Sequence, residues 1–242
     1  MKSFDLHGIN KFPSDGYLIF PISMSRINKG QNPEEIYGVI KSFEKKISAV
    51  GIDAIILYTN GLYYNNDESA LTVRKRTNGQ MLSHRNAFLK LVSRDKKYIP
   101  QAIHFLPWDF VILNFSQYED YFQKLIKLKD TDKKFKDLLK DGLNGRKENE
   151  ANINFLVEEI VVSHIIRQKL IEFPKTLVKQ DKFRLMVYPG LFFKADLYQW
   201  KKKILPQKET KNDNSNPYYA SHYDSEKNIL YNFDDLELQQ FL

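Results

Sequence analysis

Two groups of side chains in this sequence are spaced so that they could do nucleophilic or acid–base chemistry. In the first group, Ser23 and Ser25 follow the apolar run of residues 17–22, which is typical of a buried strand that ends in a loop. Parallel sheets bind their ligands at the carboxyl ends of their strands, so either serine is placed as a nucleophile would be. Loops are also rich in serine because of turn geometry. The residues alone therefore do not decide whether either serine is a nucleophile or a turn residue.

The second group is a pair of glutamates, Glu158 and Glu159, in a helical segment that is apolar on both sides. Neighbouring residues of a helix point about 100° apart, so the two carboxylates cannot share one direction. If one of them is buried, its pKa is raised and the group becomes able to move protons near neutral pH. The alternative is that both lie on a polar edge of the helix, as solvated charges do.

A third feature is a basic segment between residues 74 and 97, which holds eight Lys and Arg residues and a single acidic one, Asp95. Its candidates for phosphate contacts are Arg74, Lys75, Arg76, Arg85, Lys90 and Arg94. A helix with a basic outer face is suited to a phosphate backbone, whereas a merely solvated face usually mixes both signs. The pattern therefore favours polyanion binding, and it predicts that Leu82, Leu89 and Val92 pack inward.

Composition and charge narrow the class of protein. None of the 242 residues is cysteine, which excludes disulfides and thiolate metal sites and favours a reducing compartment. Neither a signal peptide nor an apolar run of roughly 18 residues is visible, so we expect a cytoplasmic protein that does not enter the membrane. The residues after Pro206 carry three basic and seven acidic side chains, so the total charge of +7 divides into +11 before that point and −4 after it. The excess favours a polyanionic partner, although solubility alone would explain it equally well.

These residues must be positioned by alternating strands and helices. The apolar runs predict four core strands, over residues 17–22, 52–58, 103–106 and 183–187. The fourth is predicted to be the last strand of the core. Periodicity and capping residues predict a helix that starts after Asn32 and ends at Gly51, and further helices over residues 69–97, 110–128, 132–143 and 149–173. We expect one domain over residues 1–206 and an acidic C-terminal tail, residues 207–242, docked on it.

The order of these segments resembles that of the tRNA-dependent cyclodipeptide synthases (CDPSs). The segment from Pro21 to Arg26 looks like the nucleophile loop of that family, and the segment from Ala70 to Arg76 looks like part of its tRNA-contacting basic helix. Trp108 and Tyr118 are similar to its mid-chain tryptophan and tyrosine. The dipeptide Tyr188-Pro189 matches the one that names the XYP-type branch of the family.

The resemblance covers roughly residues 16–206 and implies an α/β fold. That fold is a Rossmann-like parallel sheet flanked by helices, similar to the catalytic domain of class Ic tRNA synthetases. The implied function is the synthesis of cyclodipeptides (diketopiperazines) from two aminoacyl-tRNAs, by ping-pong acyl transfer through a seryl acyl-enzyme. We expect no cofactor, no metal, aminoacyl-tRNA as partner, and a monomer. The alternatives are a non-catalytic tRNA-binding protein and an aminoacyl transferase with another acceptor.

The resemblance also implies roles for individual residues. Ser23 is the expected nucleophile, Tyr188 a proton relay, and a glutamate of the long helix is expected to hold the substrate amine. The family usually has a tyrosine four residues before that glutamate, and the register that pairs Phe155 with Glu159 makes Glu159 the expected residue, with the phenol absent. The expected substrate-binding residues are Phe155, Pro189, Pro21, Arg26, Ile55 and Leu57.

Overall fold

A computed structural model describes residues 5–6, 17–24, 27, 30–47, 53–60, 69–95, 103–174, 184–188, 193–207, 218–224 and 229–232. Its strands are β1 (Asp5–Leu6), β2 (Tyr17–Ile22), β3 (Asp53–Tyr58), β4 (Ile103–Pro107), β5 (Arg184–Tyr188), β6 (Tyr218–Asp224) and β7 (Ile229–Asn232). Its helices are α1 (Pro33–Ile47), α2 (Ala70–Arg94), α3 (Asp109–Leu113), α4 (Tyr118–Thr131), α5 (Lys133–Asp141), α6 (Glu150–Arg167) and α7 (Lys194–Lys201). The helix predicted over residues 110–128 is therefore two helices, α3 and α4.

The seven described strands form one sheet in the order β1-β7-β6-β5-β2-β3-β4. Five neighbouring strands are parallel: β4, β3, β2, β5 and β6. β7 runs antiparallel to β6 and pairs with β1. From β2 the chain extends the sheet in one direction through β3 and β4, then returns to the other side of β2 with β5 and β6. This strand order is that of a Rossmann-like sheet, and it creates a switch point between β2 and β5. The expected α/β class, a parallel sheet flanked by helices, is confirmed.

Both faces of β2 are covered by helices, which explains why the strand is a continuous apolar run and not an alternating pattern. Tyr17 and Ile19 pack on one face, in a core with residues of α3 to α7. Leu18 and Phe20 pack on the other face, where α1 and α2 cover them. Every residue of β2 is buried. Ser23, at the carboxyl end of β2, is half-buried and is the first residue after this buried strand.

Helix α2 is one continuous helix, but its buried face differs in part from the predicted one. Its buried side chains are Val73, Thr77, His84, Phe88 and Val92. Val92 is buried as predicted, whereas the prediction that Leu82 packs inward is wrong, since this side chain is 58% exposed. Leucine spacing was misleading because two polar residues, Thr77 and His84, occupy the inner face and find hydrogen-bond partners there.

Helix α6 lies on the opposite face of the sheet and contributes most of its residues to the core. It is shorter than predicted, because it ends at Arg167 and not near Pro174. Lys169 adopts a left-handed conformation with φ of 49°, and the Leu170 N–H bonds back to the Ile165 carbonyl at 3.0 Å. These contacts form a Schellman motif, which ends the helix before the proline is reached.

The sheet continues beyond β5, so the prediction that β5 is the last core strand is wrong. β6 pairs in parallel with β5, and Tyr188 stands opposite His222. β7 then pairs antiparallel with β6, and His222 stands opposite Tyr231. The sequence hides these strands because they mix polar and apolar residues without regular alternation, within a segment rich in Asn, Ser and Asp.

Candidate active site

The switch point between β2 and β5 brings the two predicted catalytic hydroxyls to one edge of the sheet. Ser23 directly follows β2, Tyr188 is the last residue of β5, and the two strands are adjacent and parallel. Met186 belongs to the core on the α6 face, so strand alternation places Tyr188, two residues later, on that face as well. Ser23 and Tyr188 are both half-buried. This edge is where Rossmann-like sheets bind their ligands.

The peptide group that joins Ile22 to Ser23 is held at both of its ends. Its carbonyl oxygen, on Ile22, accepts two hydrogen bonds from Thr59, one from the N–H at 3.1 Å and one from the hydroxyl at 2.9 Å. Its N–H, on Ser23, donates to the side-chain oxygen Oε1 of Gln31 at 2.7 Å. Because a peptide group is planar, these three bonds fix the orientation of the backbone from which the Ser23 side chain projects.

Gln31 is in turn held by His84 of α2. The Gln31 carbonyl is 3.0 Å from Nε2 of His84, and since a carbonyl only accepts, Nε2 carries the proton. Nδ1 of the neutral ring then accepts from the Tyr58 hydroxyl at 2.8 Å. Burial lowers the pKa of His84 and so favours the neutral ring, while the bond to Gln31 and the charge of Glu34 act in the opposite direction.

The predicted substrate-binding residues of β2 and β3 lie on one face of two adjacent strands. Pro21 stands opposite Leu57 in the register of the two strands. Ile55 and Leu57 belong to the core on the α6 face, and strand alternation places Pro21 on that face too. Three further candidates lie outside the described residues: Ser25, Arg26 and Pro189.

Glu158 is a carboxylate of α6 with a defined polar partner, since the Tyr118 hydroxyl donates to its Oε2 at 3.0 Å. Burial raises the pKa of Glu158 to about 7, the hydrogen bond from Tyr118 opposes the rise, and the negative charge of Asp109 adds to it. Asp109 begins α3 just after the carboxyl end of β4, so Asp109 lies at the same edge of the sheet as Ser23. β4 and β2 are separated by two strand spacings, or roughly 10 Å.

The predicted residue Glu159 is half-buried as well. Phe155, four residues earlier, packs against Trp108 with the ring centroids 6.1 Å apart. Asn154, four residues before Glu158, has a buried side-chain oxygen that makes no hydrogen bond within the described part of the chain. The two possible registers of α6 therefore pair Phe155 with Glu159, or Asn154 with Glu158.

The six candidates for phosphate contacts all lie on α2 and are exposed: Arg74, Lys75, Arg76, Arg85, Lys90 and Arg94. The guanidinium of Arg85 is also 5.7 Å from the centroid of the Phe105 ring. Two leucines of the same helix, Leu71 and Leu82, are exposed alongside them. The outer surface of α2 therefore offers cations together with apolar side chains, a combination that suits the phosphates and bases of a nucleic acid.

These features define the chain as a Rossmann-like α/β protein with a serine at the switch point of its sheet. Its structure is similar to solved structures of cyclodipeptide synthases. A CDPS from Fluoribacter dumoffii matches with a TM-score of 0.55 and 18% identity, over 81% of this chain and 85% of that one. A CDPS from Staphylococcus haemolyticus matches with a TM-score of 0.52 and 14% identity, over 81% and 86%. A cyclodipeptide synthase from Bacillus thermoamylovorans matches with a TM-score of 0.52 and 13% identity, over 86% and 87%.

At these identities the similarity is one of fold. No family model matches the sequence, and no curated protein matches it significantly. Among the described residues, no group of three or more His, Asp or Glu side chains could hold a metal ion. No described helix has both the length and the apolar character needed to cross a membrane.

Sequence reasoning missed the residues that hold the backbone at Ser23, namely Gln31, Thr59 and His84. Gln31 and Thr59 lie in connections between elements, where polar residues are expected in any case. His84 had a detectable signal, because it lies on the same side of the helix as Val73, Phe88 and Val92. A polar residue on the buried side of a helix requires a partner, and here that partner belongs to the site.

The raised pKa of Glu158 predicts how stability depends on pH. Between its ordinary value of 4.5 and about 7, the native protein binds more protons than the unfolded chain, so the free energy of unfolding falls as the pH rises through this window. Glu158→Gln cannot ionise and should lose less stability over the same range, by up to about 3 kcal/mol. Urea unfolding of both proteins at a series of pH values measures the difference. Parallel pH profiles would contradict the assignment.

Proposed function

We propose that this protein joins the aminoacyl groups of two charged tRNAs into a cyclic dipeptide, by ping-pong acyl transfer through an ester on Ser23. The observation that carries the proposal is the position of Ser23, which lies at the switch point of the sheet on a backbone held at both ends, beside the strand that ends at Tyr188. The fold shared with cyclodipeptide synthases supports it. The dipeptide Tyr188-Pro189 supports the XYP-type branch.

The first step needs no ATP, because the ester that joins an amino acid to its tRNA is already activated. The Ser23 hydroxyl attacks the ester carbonyl, a new ester forms on Ser23, and the terminal ribose hydroxyl of the tRNA leaves with a proton. Tyr188, on the same face and edge of the sheet, is our candidate for relaying that proton. The exposed cations of α2 hold the tRNA phosphates while this exchange takes place.

The second step requires the amine of the bound amino acid to be held and then deprotonated. A carboxyl group with a pKa of about 7 is suited to both tasks, since it attracts an ammonium when ionised and is able to accept its proton near neutral pH. The contacts of Glu158 with Tyr118, and the buried oxygen of Asn154 four residues before it, favour Glu158 for this role. The expectation from the resemblance, Glu159, stays a prediction that the same experiment tests.

The cyclic dipeptide is then formed in two further attacks by amines. The freed amine attacks the ester of the second charged tRNA, a peptide bond forms, and the second tRNA leaves with a proton. The amine of the newly added residue then attacks the ester on Ser23, which releases the cyclic dipeptide and restores the serine hydroxyl. The balance is two aminoacyl-tRNAs converted into one cyclic dipeptide and two free tRNAs.

Ser23→Ala should abolish the cyclic dipeptide and leave tRNA binding and the fold intact, since the hydroxyl alone forms the covalent bond. The assay incubates the protein with charged tRNAs, detects diketopiperazines by mass spectrometry and detects labelled protein by its radioactive aminoacyl group. Ser93→Ala, on the exposed side of α2, is the matched control, and Ser25→Ala tests the alternative serine.

The same assay separates the three candidate functions. A cyclic dipeptide supports the proposal, labelled protein with a different product supports an aminoacyl transferase, and binding of tRNA with neither supports a non-catalytic protein. Covalent labelling that persists in Ser23→Ala would exclude Ser23 as the nucleophile.

The register of α6 is tested by a pair of neutralising substitutions. Glu158→Gln should lower the rate of product formation by about a hundredfold or more, because the buried carboxyl that handles the amine is lost. Glu159→Gln should have a much smaller effect, because adjacent residues point about 100° apart. Steady-state kinetics of both variants decide the register, and the reverse order of damage would restore Glu159 and its partner Phe155.

Charge reversal of Arg74, Arg76 and Arg85 should weaken tRNA binding and flatten its dependence on salt. Each lost phosphate contact removes about one unit from the slope of log affinity against log salt concentration. The matched control reverses three exposed lysines of α4 and α5, Lys124, Lys127 and Lys136, which changes the net charge equally. Filter binding at several salt concentrations measures both slopes. Equal slopes in the two triple variants would mean that α2 contributes only to the general charge of the protein.

A further inference from the structure

We propose that Gln31, His84 and Tyr58 are positioning residues, which orient Ser23 through a closed ring of hydrogen bonds anchored on α2. The inference rests on the proposed function and deepens it, since it assigns residues that act on the nucleophile without touching the substrate. All three side chains are at most 4% exposed.

The first half of the ring leads from the nucleophile to α2. The Ser23 N–H donates to the Gln31 side chain at 2.7 Å, and the Gln31 carbonyl accepts from His84 Nε2 at 3.0 Å. Gln31 therefore connects the two through different parts of one residue, its side chain towards Ser23 and its backbone towards α2. Any shift of the His84 ring is transmitted to the Gln31 backbone and from there to the Ser23 amide.

The second half of the ring leads from α2 back to the nucleophile. The Tyr58 hydroxyl donates to His84 Nδ1 at 2.8 Å, and the next residue in the chain, Thr59, binds the Ile22 carbonyl through its N–H and its hydroxyl. Ile22 is bonded to Ser23, so the ring closes on a single peptide group. Both ends of that peptide group are thus held by residues that meet at His84.

Each donor and acceptor in the ring has a defined direction. The carbonyl of Gln31 requires a proton on Nε2 of His84, so in the neutral ring Nδ1 accepts and Tyr58 donates. Removal of one partner leaves a buried polar group unsatisfied, which costs more than the bond itself contributes. The ring is therefore sensitive to single atoms, and a substitution that removes one hydroxyl or one amide oxygen tests it.

The hydrogen bond from the Ser23 N–H to Gln31 also restricts the part that this N–H plays in the reaction. In many serine enzymes the amide of the nucleophile donates to the oxyanion of the intermediate. Here that amide donates to Gln31 at 2.7 Å, so its hydrogen bond serves to orient the backbone. We therefore expect loss of the ring to affect the rate of acylation and to leave the affinity for tRNA unchanged.

The helix that anchors the ring is also the basic helix. Arg85 follows His84 directly, and its guanidinium lies 5.7 Å from the ring of Phe105, which stacks on Tyr58 with centroids 6.3 Å apart. At the first half of α2, the Thr77 hydroxyl bonds to the Asn60 carbonyl at 3.2 Å, just beyond β3. The exposed cations and His84, the residue at which the two halves of the ring meet, therefore belong to one helix.

Tyr58→Phe is the first test, because it removes the hydroxyl and keeps the aromatic side chain that packs on Phe105. Its matched control is Tyr37→Phe, which removes a hydroxyl that donates to Asp95 at 2.8 Å in the same α1–α2 layer, outside the ring. Single-turnover acylation of Ser23 by a radiolabelled aminoacyl-tRNA should slow about tenfold in Tyr58→Phe and stay at the wild-type rate in Tyr37→Phe.

The second test is a pair of substitutions at Gln31 whose side chains are similar in shape to glutamine. Gln31→Met removes the acceptor of the Ser23 N–H and should slow acylation about a hundredfold, as expected when a reacting group is displaced by about 1 Å. Gln31→Glu keeps an acceptor oxygen and should restore the larger part of the rate. The affinity for tRNA, measured separately, should be the same in all four variants.

Hydrogen exchange of the Ser23 amide, followed by NMR in the free protein, tests the ring without any reaction. We expect exchange to be about tenfold faster in Gln31→Met than in the wild type or in Tyr37→Phe. Unchanged exchange in Gln31→Met, or equal acylation in Tyr58→Phe and Tyr37→Phe, would overturn the inference. If the wild-type protein forms no acyl-enzyme at all, the proposed function fails, while the exchange measurement still decides whether the ring holds Ser23.

Discussion

Burial of β2 on both faces is the constraint on which the rest of the structure depends. A strand covered by helices on both sides cannot present polar side chains from its middle, and all six residues of β2 are buried. Polar groups therefore collect where the strand ends, and the change in strand order between β2 and β5 leaves space for them. Ser23 and Tyr188 lie at this edge because each stands where a buried strand of the sheet ends.

The two helical layers have different tasks at this edge. In the layer of α1 and α2, His84 holds Gln31, which in turn bonds to the Ser23 N–H, and the outer surface of α2 carries the exposed cations. The layer of α6 supplies the carboxyl group whose pKa is raised by burial. Separation of the tasks has a physical reason, because a cationic surface close to Glu158 would lower its pKa and remove the property that makes it useful.

Much of the fold followed from the sequence, and the exceptions have identifiable causes. β2, α1 and β3 were predictable because long apolar runs and a capped, periodic helix give strong local signals. β6 and β7 were not, because short strands that mix polar and apolar residues resemble a loop. The buried side of α2 was assigned to Leu82 in place of His84, since the partner of His84, Gln31, lies 53 residues away in the chain. Local patterns do not report contacts at that separation.

The position of Ser23 was predictable, whereas the choice between Glu158 and Glu159 was not. A loop serine after a buried strand is located by the fold class alone. Two adjacent glutamates differ only in direction, and both are half-buried in the structure. Glu158 is favoured by contacts remote in sequence, such as the hydrogen bond from Tyr118, which is 40 residues away in the chain.

The pairing of β1 with β7 has a consequence for how the protein folds. β1 is made of Asp5 and Leu6, and its partner in the sheet is β7, which follows all the other strands in the chain. During synthesis the N-terminal segment leaves the ribosome long before that partner exists, so its place in the sheet is filled last. The central strands are able to assemble earlier, since β2 and β3 are joined by a single helix. β1 and β7 therefore close the edge of a sheet whose centre is already formed, although Asp5 and its partner Ile229 are far apart in the sequence.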